Sequence, residues 1–207
     1  LGRPADTAGF TYFTNLLNEG NSNRFLTPAQ QQQVARMQVV QLIQSSEEYR
    51  TEEVQNLYQS ILDRPADTAG LNAWVAFLGN GGTEQQVEED IMGSAEFVTL
   101  NGGTAATFVT AVYNELLGRN PDPAGGAAWV NLLNAGASTE SVVTGVLLSA
   151  ESATLTTDEF FADFLGRQPD TVGQSNFVNA LMSGVSNEYI ILFIVSSQEF
   201  YNDAQAM

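Results

Sequence analysis

Four times along this chain an Arg is followed at plus three by Asp and at plus six by Gly. The copies start at Arg3-Pro-Ala-Asp6-Thr-Ala-Gly9, Arg64-Pro-Ala-Asp67-Thr-Ala-Gly70, Arg119-Asn-Pro-Asp122-Pro-Ala-Gly125 and Arg167-Gln-Pro-Asp170-Thr-Val-Gly173. What surrounds the element repeats as well. An aromatic stands four residues after each Gly (Phe13, Trp74, Trp129, Phe177), a Leu eight after, and a second Gly eleven after (Gly20, Gly81, Gly136, Gly184). Each copy closes on Ser-x-Glu, with Glu48, Glu96, Glu151 and Glu199 as the acids. Such internal periodicity belongs to repeat architectures, in which no unit buries its apolar face alone. The repeat is not uniform: the spacing is 61 residues from Arg3 to Arg64, 55 to Arg119 and 48 to Arg167. The extra length of the first copy is placed at Asn21 to Leu26 and in a longer helix around Gln30 to Gln33. That of the second is placed at Asn101-Gly-Gly103.

The pattern predicts three helices per unit and no strand. The runs before each Arg, such as Val54-Leu57-Tyr58-Ile61-Leu62 and Phe108-Val109-Val112-Tyr113-Leu116-Leu117, space apolar residues as one buried stripe of a helix. Gly or Pro ends that helix, the repeated Asp caps the second, and the second Gly ends the second. Thr27, Thr83, Ser138 and Ser186 cap a third, the first two as capping boxes. Thr51 and Thr156 are expected to cap the opening helices of the next units. The fold class is therefore all-α, a tandem stack of about four three-helix units in one continuous array, divided at 1–50, 51–103, 104–155 and 156–207. The first unit lacks the opening run, which marks the chain as part of something longer.

Chemistry is narrowly bounded. The sequence has no Cys and no His, which removes thiolate and imidazole ligands, nucleophiles and bases together. Seven basic residues stand against 24 acidic ones, a formal charge of −17, so nucleic acid and anionic lipid are disfavoured partners. All seven are Arg, and four of them sit in the repeated element. No run of about 18 apolar residues offers a membrane span. The recurring Arg, Asp and Glu form either a repeated charged pocket or, the favoured reading, clamps in which the planar guanidinium ties a loop to a carboxylate. The Asp-x-x-Gly loops lack the several carboxylates a calcium ion needs, so the Asp residues read as caps with no metal or cofactor. Trp74 and Trp129 share a face with Leu and Val and read as core, not as sugar platforms.

One segment breaks the amphipathic rule. Tyr189 to Val195 is apolar all round, whereas its counterpart Val87 to Ile91 exposes Glu88, Glu89 and Asp90 on this reading. Terminal units of a stack normally present a polar cap. Ile191, Phe193 and Ile194 are therefore interface candidates, covered by another subunit or further chain, with burial inside their own unit as the alternative.

The pattern Tyr-x-x-(Leu/Ile)-Leu-Gly-Arg-x-Pro-Asp-x-x-Gly-x-x-x-Trp, fullest over Tyr113 to Gly136, resembles the bacterial family known as domain of unknown function 4214. Departures are Asp63 for Gly, an early Pro at Pro4 and Pro65, Phe177 for Trp, and Ser152 for the closing aromatic. The resemblance implies a helical module of large secreted and surface-layer proteins, often beside haemolysin-type calcium repeats, and offers no catalytic residue. A more distant similarity to the linker polypeptides of cyanobacterial antennae also points to assembly. The expectation is a non-catalytic structural or interaction module of an exported protein, extracellular or at the cell surface, self-associating or joined to the remainder of a longer chain. The alternative is a polysaccharide- or calcium-binding module appended to an enzyme or adhesin.

Overall fold

The computed structural model describes residues 3–19 and 25–206, so Gly20 and most of the Asn21 to Leu26 insertion lie outside the described residues. Among the described residues there are thirteen helices and no strand. They are α1 (Thr7–Glu19), α2 (Pro28–Gln44), α3 (Glu47–Leu62), α4 (Thr68–Gly79), α5 (Glu84–Gly93), α6 (Ala95–Leu100), α7 (Ala105–Leu117), α8 (Pro123–Asn134), α9 (Thr139–Leu147), α10 (Ala150–Leu165), α11 (Thr171–Met182), α12 (Asn187–Val195) and α13 (Gln198–Ala206).

Side-chain oxygens set most of the starts. Asp67, Asp122 and Asp170 cap α4, α8 and α11, while Thr27 and Thr83 form full capping boxes on α2 and α5. The opening helices begin earlier than Thr51 and Thr156 would place them. Both lie inside helices, and the caps are Ser46 on α3 and Ser149 on α10. The Ser of Ser-x-Glu is thus a helix start, and divisions at 50/51 and 155/156 fall within α3 and α10.

The opening helices end on a left-handed residue: Gly118 at φ 63° and Gly166 at φ 62°. Asp63 takes that conformation at φ 51° without glycine's freedom.

The uneven spacing has a simple geometry. From the capping Ser to the next Arg is 18 residues for Ser46 to Arg64 and for Ser149 to Arg167, but 25 for Ser94 to Arg119. The seven extra residues, centred on Asn101-Gly-Gly103, split one long helix into α6 and α7. Seven residues are about two helical turns, so the apolar faces on either side stay in phase.

Each second helix packs on the opening helix before it: α4 on α3, α8 on α7, α11 on α10. The third helices pair across the molecule, α5 against α9 and α2 against α12. Val54, Val87, Phe108, Val112, Val142 and Val143 form the centre of the larger core, and Phe161, Leu181, Ile190 and Ile194 of a smaller one.

The α2–α12 contact corrects the interface expectation. The first and last copies meet within the chain: Gln44 donates to the Glu188 carbonyl at 3.0 Å, and Arg36 Nε to the Ser196 carbonyl at 2.9 Å. Ile194 is only 3% exposed, so it is core. Ile191 lines a cavity, and of the three only Phe193 is exposed, at 47%. An apolar helix at the end of a chain needs no second subunit when the other end of the chain folds back to cover it.

Candidate functional site

The repeated charged residues build four similar corners. In each, the Arg makes a two-pronged contact with the Glu of the next Ser-x-Glu: Arg3 with Glu48, Arg64 with Glu96, Arg119 with Glu151, and Arg167 with Glu199. The Nη2 arms lie 2.6–2.9 Å from the carboxylate. Nη1 donates to the carbonyl of the following residue, as from Arg119 to Asn120 at 2.9 Å. The guanidinium of each of the last three corners also lies over an aromatic ring six residues back, Tyr58, Tyr113 or Phe161, at 5.1–5.3 Å from the centroid. A Lys, with one point charge, could not make these three contacts at once.

The Arg therefore pairs with the Glu; Asp67 stands 3.9 Å from Arg64 and is occupied elsewhere. Its Oδ1 accepts from Ala69 N–H at 3.1 Å and Gly70 N–H at 2.9 Å, and Asp122 repeats this on Ala124 and Gly125. Asp6 and Asp170 accept from Gly9 and Gly173 at 2.8 Å. Backbone N–H donation holds the Asp6, Asp67 and Asp122 carboxyls below their usual range, and the Arg hydrogen bonds do the same for Glu48, Glu96, Glu151 and Glu199. The clamp spans 32 residues in the last three corners and 45 in the first. The seven-residue insertion falls after Glu96, outside the clamped segment. The 13 extra residues of the first copy fall inside it.

The aromatic at plus four belongs to the same corner. Trp74 Nε1 donates to the Tyr58 hydroxyl at 3.3 Å, and Trp129 to Tyr113 at 3.1 Å. Both indoles pack against the larger core. In the last copy both partners change together: Phe161 and Phe177 meet edge to face at 5.4 Å. Replacing donor and acceptor at once leaves no polar atom stranded.

A second feature has no counterpart in the repeated motif. Between α2, α10, α12 and α13 lies a cavity of about 790 Å³. Leu17, Val40, Ile43, Phe160, Phe164 and Ile191 give it apolar walls, while Tyr49, Glu53, Glu84 and Asn187 bring polar groups to it. The volume is that of a typical small-molecule site. Burial, with Glu188 and Glu53 nearby, pushes the Glu84 carboxyl up to about 8 even though Tyr49 hydrogen-bonds it. Burial likewise raises Glu53 and the Tyr49 hydroxyl. Asn187 Oδ1 and Glu188 Oε2 are buried with no hydrogen-bond partner.

Glu88, on the face expected to be exposed, corrects that reading: it is half-buried, and burial beside Glu115 and Glu159 pushes it up to about 7. Glu89 is also half-buried and accepts from Thr144, so of the three only Asp90 is exposed. Helical periodicity could not expose these acids, because the surfaces that cover them come from α9 and α10, distant in sequence. Among the described residues no group of three or more Asp or Glu side chains is placed to hold a metal ion. No helix among them is long and apolar enough to cross a membrane.

Fold and corners together define an acidic all-helical repeat protein whose recurring charges are joined to one another. The model of the family described as "Domain of unknown function (DUF4214)" matches it three times, at residues 41–101, 88–156 and 158–204, and the chain belongs to that family. Of the first unit read from the motif, 1–50, residues 1–40 lie outside the matches. No curated protein and no solved structure matches the chain.

Proposed function

We propose that the chain is a non-catalytic structural and interaction module of a larger exported bacterial protein, serving in a surface layer, matrix, sheath or filament. The observation that carries this reading is the use made of the repeated residues. Each recurring Arg, Asp, Glu and Trp is engaged within its own corner, as clamp, cap or packed ring. The repeat thus specifies a frame, since a residue repeated for ligand binding would keep its polar atoms unpaired and convergent. The first unit, 1–50, acts in it as a fourth copy, because Arg3 clamps Glu48 as the others clamp theirs. An extracellular or cell-surface setting is consistent with a Cys-free, strongly acidic chain.

Association would use the apolar side chains left outside: Phe10 at 64% and Tyr12 at 56% exposure on α1, with Phe25 at 83% beyond it. The packed Trp residues give no support to a polysaccharide platform. Light scattering across a concentration series, with and without calcium, tests the proposal. Growth of assemblies that Phe10→Ser and Phe25→Ser suppress is expected; a monomer that instead binds soluble polysaccharide with the Trp residues as its contacts would replace this reading with the alternative.

A further inference from the structure

The cavity between the first and last copies is chemically lopsided. One end holds Arg36, the only basic side chain that lines it among the described residues. That guanidinium is spent: it donates to the Ser196 carbonyl, reaches Gln198 Oε1 at 3.2 Å, and stacks on the Tyr201 ring at 5.1 Å. Gln44, eight residues further along α2, marks the other end, about 12 Å away by helical rise. There Tyr49, Glu53, Glu84 and Asn187 gather beside Glu188, with no Arg among the groups that act on the Glu84 carboxyl. Glu188 already gives one oxygen to the first N–H of α5, accepting from Glu84 N at 2.7 Å. Its second oxygen, and Asn187 Oδ1, have no partner.

Both of these are acceptors; a third buried atom without a partner, Arg50 Nε, lies with Glu84 and Glu188 in the adjoining cleft and does not line the cavity, where Asn187 Oδ1 is the open acceptor. A buried acceptor left unpaired costs free energy that a donor would recover. The carboxylates are near enough to disfavour one another's charge, but they are not placed to surround a metal ion. The missing complement is a donor with positive charge, and it must arrive on a body that fills an apolar space walled by Ile43, Phe160, Phe164 and Ile191.

We propose that this cavity is a binding site for an alkyl ammonium amphiphile, a primary amine carrying an apolar chain. The ammonium would sit among Glu53, Glu84 and Asn187, and the chain would lie along the aromatic and aliphatic wall toward Phe164 and Ile191. One N–H of the ammonium would fill the open Asn187 Oδ1 and the others would reach the Glu53 and Glu84 carboxyls, and its charge relieves the repulsion between the acids. Binding would draw the proton from Glu84, whose carboxyl is raised to about 8, so affinity for a primary ammonium, which stays charged over this range, should rise between about pH 6 and about pH 9.

The test is calorimetric titration of the whole chain with n-decylammonium below its micelle concentration, with n-decyl sulfate and n-butylammonium as controls. The expected result is one saturable site for decylammonium, none for decyl sulfate, and little heat from butylammonium. Glu84→Gln should weaken binding on the order of tenfold at about pH 9, the size of one charge-assisted hydrogen bond, and less at about pH 6. Ile191→Trp should abolish it by filling the space. Val40→Phe on the facing helix serves the same purpose if the first variant loses its helical circular dichroism. Equal binding of decyl sulfate, multiple equivalent sites, or unchanged binding in a folded cavity-filling variant would overturn the proposal.

Discussion

At two of the four corner glycines a tyrosine hydroxyl leaves no room for a side chain. A Cβ placed on Gly70 would lie 2.6 Å from the Tyr58 hydroxyl, and one on Gly125 would lie 3.3 Å from that of Tyr113 and 2.8 Å from Asp122 Oδ2. At Gly173, where Phe161 replaces the Tyr, the nearest ring atom is 3.7 Å away, an ordinary contact. Gly70→Ala should therefore destabilise by about 1–3 kcal/mol through overpacking and loss of the Trp74 hydrogen bond. Gly173→Ala should be neutral or stabilise by up to about 1 kcal/mol. Denaturant melts of the single variants and of Gly70→Ala combined with Tyr58→Phe test this; the pair should recover much of the loss, and strict additivity would rule out the hydroxyl as the cause. Asp63 makes the complementary point. As a non-glycine residue at φ 51° it carries strain that its counterparts Gly118 and Gly166 avoid, so Asp63→Gly should stabilise by roughly 0.5–1 kcal/mol. A lower melting temperature in that variant would mean that the Gln59 Nε2–Asp63 Oδ1 contact outweighs the strain.

At the scale of the helix, what the repeat holds constant is the clamped segment and not the period. Thirty-two residues from Arg to Glu carry a second and a third helix, and the guanidinium closes them onto the first turn of the next opening helix. Exposed ion pairs contribute little individually, but a forked contact with an aromatic beneath it fixes direction as well as distance. Insertions are accepted where this closure is undisturbed. Removing residues 100–106 should fuse α6 and α7 into one helix of the α3 and α10 kind, because seven residues restore the 18-residue spacing from Ser94 to Arg119. The shortened chain is expected to melt cooperatively and to remain sensitive to Arg64→Ala. A non-cooperative melt, or indifference to that substitution, would mean that the loop itself positions Glu96.

For the whole molecule, charge sets the conditions under which the frame is most stable. Glu84 and Glu88 have folded-state values near 8 and 7 against 4.5 ordinarily, so the native state holds more protons than the unfolded chain over that interval. Stability should fall as pH rises from about 4.5 to about 8. The clamp glutamates and capping aspartates are shifted the other way, and their contribution is lost as pH falls below the usual carboxylate range. The groups acting on Glu84 are Tyr49, Glu53, Glu88 and Glu188, and those acting on Glu88 are Glu115 and Glu159; Arg50 shares a cleft with Glu84 and Glu188, yet burial and the neighbouring acids still raise Glu84. Melting temperature should therefore peak on the acid side of neutrality, near pH 5, with the alkaline decline flattened in Glu84→Gln. A maximum at or above pH 7 would show that these acids are hydrated in solution.

The chain's own periodicity determines the helices, the corners and their partners, because each rests on contacts between residues at fixed offsets. An Asp reaches N–H groups two and three residues on, and a Tyr meets a Trp sixteen residues on across one short connection. The clamp was legible only as a choice between two acids, since the repeat places Asp and Glu alike in every copy and distance alone decides that Glu takes the Arg. Closure of α2 on α12, the burial of Ile194 and Glu88, and the cavity lined by Leu17 and Ile191 belong to tertiary structure. They join residues more than a hundred positions apart, or copies whose sequences have diverged, and no local pattern encodes which apolar face will meet which. A helix states that it has a face to bury; only the path of the whole chain decides what covers it.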